Sequence, residues 1–177
     1  MEVDKFFNDA FVNTLDIEGE YVNHPYDRGG ETNYGITKNL ARHYNYHGDM
    51  REIPMKKVRE IYYKEFWKKN HYDKFHDRFI AKEMFDVAVN IGARKANRKL
   101  QQSYNLLPKE NKLATDGIIG NLTLTAINGC SIRDKKTIFN ILNGYQAGHY
   151  IKLAEKDPKQ RAFIAGWFNK RINIKRL

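Results

Sequence analysis

Two acidic side chains, Glu18 and Asp27, are separated by eight residues, and the chain then runs into Gly29-Gly30-Glu31-Thr32-Asn33-Tyr34-Gly35-Ile36-Thr37. Cleaving a glycosidic bond needs a protonated acid at the leaving oxygen and an ionised partner that activates water or attacks the sugar. Two carboxyls in different surroundings can divide those roles, because their pKa values separate. Glu18 is the expected general acid. It extends a largely apolar helical stripe and sits at the negative end of that helix, and both settings disfavour the charged form. Asp27, in a polar loop rich in glycine, is expected to stay ionised as the second carboxylate. Thr32 and Asn33 are candidates for holding a water or a sugar substituent, and Tyr34 for lining the cleft. The pair alone is weak support, since 21 acidic residues generate many such spacings.

Helices must position these groups. Phe7, Ala10, Phe11, Thr14, Leu15 and Glu18 recur at helical spacing and share one face, with Gly19 a suitable terminator. From Tyr21 to Thr37 the density of Pro, Gly, Asn and Asp predicts turns and a short β-hairpin. Thr37 suits the cap of a helix carrying Leu40, Ala41 and Tyr44. Pro54 suits the first turn of another, with Val58, Ile61, Tyr62 and Phe66 on its buried face. A longer helical stretch is expected from about Phe79 to Tyr104, with Ala81, Phe85, Ala88, Ala96 and Leu100 in the core and Gly92 marking a break. Asp116-Gly117-Ile118-Ile119-Gly120 reads as a turn. Two further helices follow, one with Ile138, Ile141, Leu142, Tyr145 and His149, the other after Asp157-Pro158 with Phe163, Ile164, Trp167 and Phe168. Strand alternation is scarce, so the expected class is mainly α.

Composition narrows the possibilities. Hydrophobic residues make up 41% and aromatics 13% of 177 residues, which argues against disorder. No apolar run approaches the roughly 20 residues that span a bilayer. The start, Met1-Glu2-Val3-Asp4-Lys5, lacks the apolar stretch of a signal peptide. The expectation is synthesis in the cytoplasm and, for a wall substrate, export by a holin or a dedicated route. Cys130 stands alone and reads as a small buried apolar residue. The net charge of +10 is skewed: residues 1–88 carry −2 and residues 89–177 carry +12. That skew points the second half toward a polyanion such as nucleic acid, an anionic membrane or bacterial wall.

The residues around the carboxyl pair carry a resemblance. Glu18-Gly19-Glu20-Tyr21-Val22-Asn23-His24-Pro25 and Asp27 to Thr37 closely resemble the start of glycoside hydrolase family 108, lysozyme-like N-acetylmuramidases that include phage endolysins and secretion activator proteins. Gly48-Asp49-Met50-Arg51, Glu60-Ile61-Tyr62, Phe66-Trp67 and Phe85 to Gly92 continue it in order. The resemblance implies that Glu18 is the essential acid of a Glu-Gly-Gly-Tyr motif, with Glu20 here in place of the second glycine. The Glu-x8-Asp spacing also looks like that of phage-type lysozymes, in which a threonine follows six positions after the aspartate. That position is Asn33 here, with Thr32 beside it. The implied fold is lysozyme-like, two lobes of one helical body, and the implied role is host lysis or local wall remodelling for secretion.

The second half resembles the peptidoglycan-binding segment that accompanies this family, through Ala96, Leu100-Gln101, Asp116 to Gly120, Thr123-Leu124 and Phe163 to Arg171. The expected division is therefore residues 1–92 for catalysis and 93–177 for binding, with peptidoglycan strands and stems as partner rather than nucleic acid or membrane, and a monomer. Asp86 and Asn90, one helical turn apart, could meet an acetamido group or orient a loop. Asn90 could equally satisfy a loop carbonyl. Tyr145 and Trp167 could stack on sugars or belong to the core. Arg171 could meet a wall carboxylate or pair internally. A metal-dependent peptidase is disfavoured: the histidines at 24, 43, 47, 71, 76 and 149 form no His-Glu-x-x-His, and no metal or cofactor is expected. A lytic transglycosylase and a non-catalytic wall-binding protein are the remaining alternatives.

Overall fold

The computed structural model describes residues 4–15, 21–22 and 30–172, so Glu18 and Asp27 lie outside the described residues. Packing divides the chain into two compact units, Met1–Asp73 and Lys74–Leu177. Among the described residues the architecture is mainly α, with eight α-helices and one two-stranded sheet. It is consistent with a lysozyme-like fold.

The first unit begins with α1 (Lys5–Leu15). Its start is capped by Asp4, whose carboxylate accepts from the backbone N–H groups of Phe6 and Phe7. Phe7, Ala10, Phe11 and Thr14 are buried, the stripe anticipated from their spacing. The hairpin forms as β1 (Thr32–Asn33) against β2 (Ile36–Thr37), with Thr32 opposite Thr37 and Asn33 opposite Ile36. Tyr34 and Gly35 turn the chain with φ of 49° and 69°. Two positive φ values match the right-handed twist of the flanking strands. Thr37 then caps α2 (Lys38–His43), its hydroxyl accepting from the N–H of Leu40 at 3.2 Å.

Pro54 is the N-cap of α3 (Met55–Ile61), and the chain continues as a π-helical turn over Tyr62–Lys68. That turn corrects one sequence expectation. Val58, Ile61 and Tyr62 are buried, but Trp67 rather than Phe66 completes the face: Trp67 is fully buried and Phe66 half-buried. Hydrogen bonds from residue i+5 to residue i, such as Lys69 N–H to the Lys64 carbonyl, enclose one more residue than those of an α-helix and widen the turn. Five positions after Tyr62 therefore replaces four. Around Trp67 gather Phe7 and Tyr72, with ring centroids 5.7 and 6.3 Å away, and its indole N–H donates to Asp4 at 2.6 Å.

The second unit is built on α4 (Arg78–Ile91) and α5 (Ala93–Asn105), separated by Gly92 at φ 88°. A left-handed φ is where glycine is least costly, so the helical stretch expected from 79 to 104 breaks there. Ala81, Phe85, Ala88, Ala96 and Leu100 are all fully buried. Asp77 caps α4 by accepting from the N–H groups of Phe79 and Ile80. The helices α6 (Asn121–Asn128), α7 (Ile132–Lys156) and α8 (Ile164–Lys170) complete the unit. The last is entered through a 3-10 turn over Pro158–Phe163, which leaves Phe163 exposed. The helix α6 was not anticipated, being eight residues long with no extended apolar period. Cys130 is buried.

Between α5 and α6 the Asp116–Gly120 turn is held by one side chain. Gln101, itself 1% exposed, donates to Asp116 Oδ1 (2.8 Å) and the Ile118 carbonyl (3.0 Å) and accepts from the Gly117 N–H (2.9 Å). Gly117 has φ 82°, and a Cβ there would lie 2.6 Å from the Arg94 carbonyl oxygen. Both facts require glycine.

Candidate functional site

The segment that follows the two catalytic candidates is tied down by the body of the first unit. Glu31 forms an ion pair with Lys38 at 2.6 Å and accepts from the Tyr21 hydroxyl at 3.0 Å. The Lys38 hydrogen bond, aided by that of Tyr21, holds the Glu31 carboxyl below the usual range. The Arg51 guanidinium lies 4.7 Å from the Tyr21 ring centre. Thr32 exchanges backbone hydrogen bonds with Val22, both 2.8 Å, and its hydroxyl donates to the Gly30 carbonyl. Asn33 is buried and donates from Nδ2 to the Met50 carbonyl at 2.7 Å. The Tyr34 carbonyl accepts from the Tyr62 hydroxyl at 2.8 Å, and the Tyr34 side chain is half-buried. Of these candidates, Asn33 already spends its amide on the fold, whereas among the described residues the Thr32 side chain bonds only within its own turn.

The sequence-derived candidates of the second unit fall into two groups. The first is a polar cluster centred on the half-buried Asp86. Arg171 Nη1 meets Asp86 Oδ1 at 3.0 Å, and Gln146 Nε2 donates to Oδ2 at 2.7 Å. Asn90 Nδ2 donates to the Asp86 backbone carbonyl at 2.7 Å and approaches Oδ2 at 3.3 Å. Arg171, open between an outer and an inner partner in sequence, thus pairs internally. Asn90 takes the role of satisfying a carbonyl, that of its own helix. Burial pushes the Asp86 carboxyl up, against the opposing pull of Arg171, Gln146 and Asn90. One turn away on α4, Glu83 is 5% exposed and accepts from Asn143 Nδ2 at 3.0 Å. Burial, with the nearby Asp86, pushes its pKa up to about 8. Glu83 was not singled out in sequence. The available signal was an acid on the face of α4 that also carries Ile80 and Val87.

Trp167 is half-buried and stacked on Tyr150, with ring centroids 4.7 Å apart and planes 18° from parallel. Its ring face is therefore used inside the unit. Tyr145 carries the Lys99 ammonium 4.2 Å from its ring centre. That contact belongs to the second group.

A cavity of about 320 Å³ opens between α4, α5 and α7. Val87 and Ile91 form its apolar side, and Tyr145, Gln146 and His149 project from α7. From α5 come Lys95, Arg98 and Lys99, with Gln102, whose Oε1 accepts from Lys99 at 3.0 Å. The spacing i, i+3, i+4, i+7 puts these four on one stripe. Lys95 stands three and four residues from two other cations, an arrangement that costs an isolated helix about 0.2–0.5 kcal/mol per pair. Burial and the nearby Lys95 push the His149 imidazole down, so it favours the neutral form. The stripe was visible in sequence as part of the +12 half, but the residues facing it from α7 lie about 50 positions away.

Residues 11–92 match the family model of glycosyl hydrolase 108, and residues 89–172 match the model of a predicted peptidoglycan domain. The matches meet at the end of α4, close to Gly92, whereas the packing division lies at 73/74. The α4 helix therefore packs with the second unit while carrying the end of the first family's pattern. The fold is similar to that of Brucella abortus SagA, with a TM-score of 0.70 and 24% identity over 92% of this chain and 87% of that one. No curated protein matches the chain. Together the two family matches support a glycoside hydrolase that binds peptidoglycan.

Proposed function

We propose that this chain, whose residues 11–92 match the glycosyl hydrolase 108 model and residues 89–172 that of a predicted peptidoglycan domain, is an N-acetylmuramidase. The bond cleaved is the β-1,4 link between N-acetylmuramic acid and N-acetylglucosamine. Glu18 donates a proton to the leaving oxygen, and Asp27, ionised, activates water or meets the developing positive charge on the sugar. The observation that carries this reading is the family match over the very segment that contains Glu18, Asp27 and the hairpin after them. The hairpin that follows in sequence is firmly anchored through Glu31, Asn33 and Tyr34, so a substrate group meeting it would order little additional backbone. The substrate lies outside the cytoplasmic membrane, and the reading accordingly locates the enzyme's action at the cell wall.

Digestion of purified peptidoglycan by the wild type and by Glu18→Gln, with products identified by mass, tests this. Reducing muramic ends from the wild type and their loss in the variant are the expected result. Full activity of Glu18→Gln would overturn the assignment of the acid. Products with 1,6-anhydro ends would replace hydrolysis by transglycosylation.

A further inference from the structure

The cavity of the second unit is not explained by packing. Its lining holds three cations, Lys95, Arg98 and Lys99, and no carboxylate, and none of the three forms an ion pair among the described residues. It also holds a buried acceptor. Gln146 is 1% exposed and spends Nε2 on Asp86, while its Oε1 has no hydrogen-bond partner among the described residues. The amide cannot turn over at no cost, because Asp86 is held by Arg171 and presents an acceptor to it. A buried carbonyl oxygen left unpaired is costly, and although it is closed to solvent in the free protein, a small shift of this cavity-lining side chain would let a ligand N–H satisfy it. The opposite side, Val87 and Ile91, is apolar and suits small alkyl groups.

A carboxylate, an amide N–H and a methyl group within one short span describe the end of an acylated peptide. We propose that the cavity between α4, α5 and α7 receives the free carboxyl end of a peptidoglycan stem peptide. Lys95 and Arg98 take the carboxylate, Gln146 Oε1 accepts the adjacent amide N–H, and Val87 and Ile91 contact the alanyl methyl. Lys99, held over Tyr145, adds field rather than reach. A glycan strand, being largely uncharged in its sugar rings, does not call for three cations. A phosphate supplies the charge but neither the N–H nor the methyl. The volume of about 320 Å³ is at the lower end of small-ligand sites and suits a dipeptide-sized group.

The inference rests on peptidoglycan being the substrate, but its test is independent of the cleavage step. Calorimetric titration of the full chain carrying Glu18→Gln with N-acetyl-D-alanyl-D-alanine measures it, beside the C-terminal amide of the same dipeptide and glycerol phosphate. The expected result is saturable binding that weakens at least about tenfold on amidation, as for a truncated charge-assisted contact. It should weaken similarly in Lys95→Gln/Arg98→Gln, two exposed positions whose change leaves the core intact. Gln146→Leu should lower affinity further, with near-native thermal unfolding as the check on folding. Equal binding of acid and amide, equal binding of glycerol phosphate, or no binding at millimolar dipeptide overturns the proposal. Failure here with Glu18-dependent wall cleavage intact removes the stem-peptide site alone. Binding here without cleavage by the wild type removes the muramidase reading alone.

Discussion

The two units solve the same problem with different materials. Between Met1 and Asp73 the core is aromatic: Trp67, Tyr62 and Tyr72 are fully buried with Phe7 and Phe11, and Thr14 and Asn33 are the buried polar residues among those described. Between Lys74 and Leu177 the buried set includes Glu83, Asn97, Gln101, Ser103, Thr123, Asn143, Gln146 and Arg171. Ring stacking tolerates small shifts, whereas a hydrogen-bonded carboxyl network loses its satisfaction when helices slide. In the second unit the Glu83–Asn143 and Asp86–Gln146 bonds tie α4 to α7, and Arg171 closes the network on Asp86. The first holds a pinned loop on a hydrophobic mass.

The contrast extends to charge. Glu60 sits between Lys57 and Lys64 and its carboxyl falls to about 2, chiefly through those two hydrogen bonds. Burial drives Glu83 up to about 8. The signs are opposite. A lowered carboxyl adds stability that is present above its unfolded value of 4.5 and is lost as pH falls toward 2. A raised one stays protonated in the folded protein while the unfolded chain ionises, so it subtracts stability as pH rises from 4.5 toward 8.

The largest expected effect separates chemistry from packing: Glu18→Gln should lower the rate of wall digestion by about 10²–10⁴-fold, read by release of reducing ends. Trp67→Ala should remove about 3–5 kcal/mol from the first unit, seen in calorimetry as an early transition assigned to it by hydrogen exchange. Arg171→Met leaves the half-buried Asp86 without its cation and should cost about 3 kcal/mol in the second unit, partly recovered by adding Asp86→Asn. Equal losses in both units from either change would erase the distinction drawn between them. Glu83→Gln keeps the bond from Asn143 and should flatten the decline in melting temperature between pH 5 and 8; an unchanged slope would show that the pH response arises elsewhere. Smallest, Thr37→Ala should cost about 1 kcal/mol through the lost cap of α2, measured by denaturant titration.

Much of this was legible in the chain itself. The stripe of α1, the Thr37 cap, the break at Gly92 and the core of α4 and α5 follow from contacts within about four residues, where propensity and periodicity act. The candidate acid pair and the family pattern were legible for the same reason, being contiguous runs of residue types. What only the tertiary structure decided lies between distant positions. The π-helical turn replaced Phe66 by Trp67 because the aromatic cluster around Phe7 and Tyr72 rewards the wider spacing. Arg171 chose Asp86, 85 positions away, and Gln146 met the basic stripe of α5 only because α7 packs beside it. Local order is written in neighbouring side chains, but pairing across helices is settled by which buried charges and rings can be satisfied together.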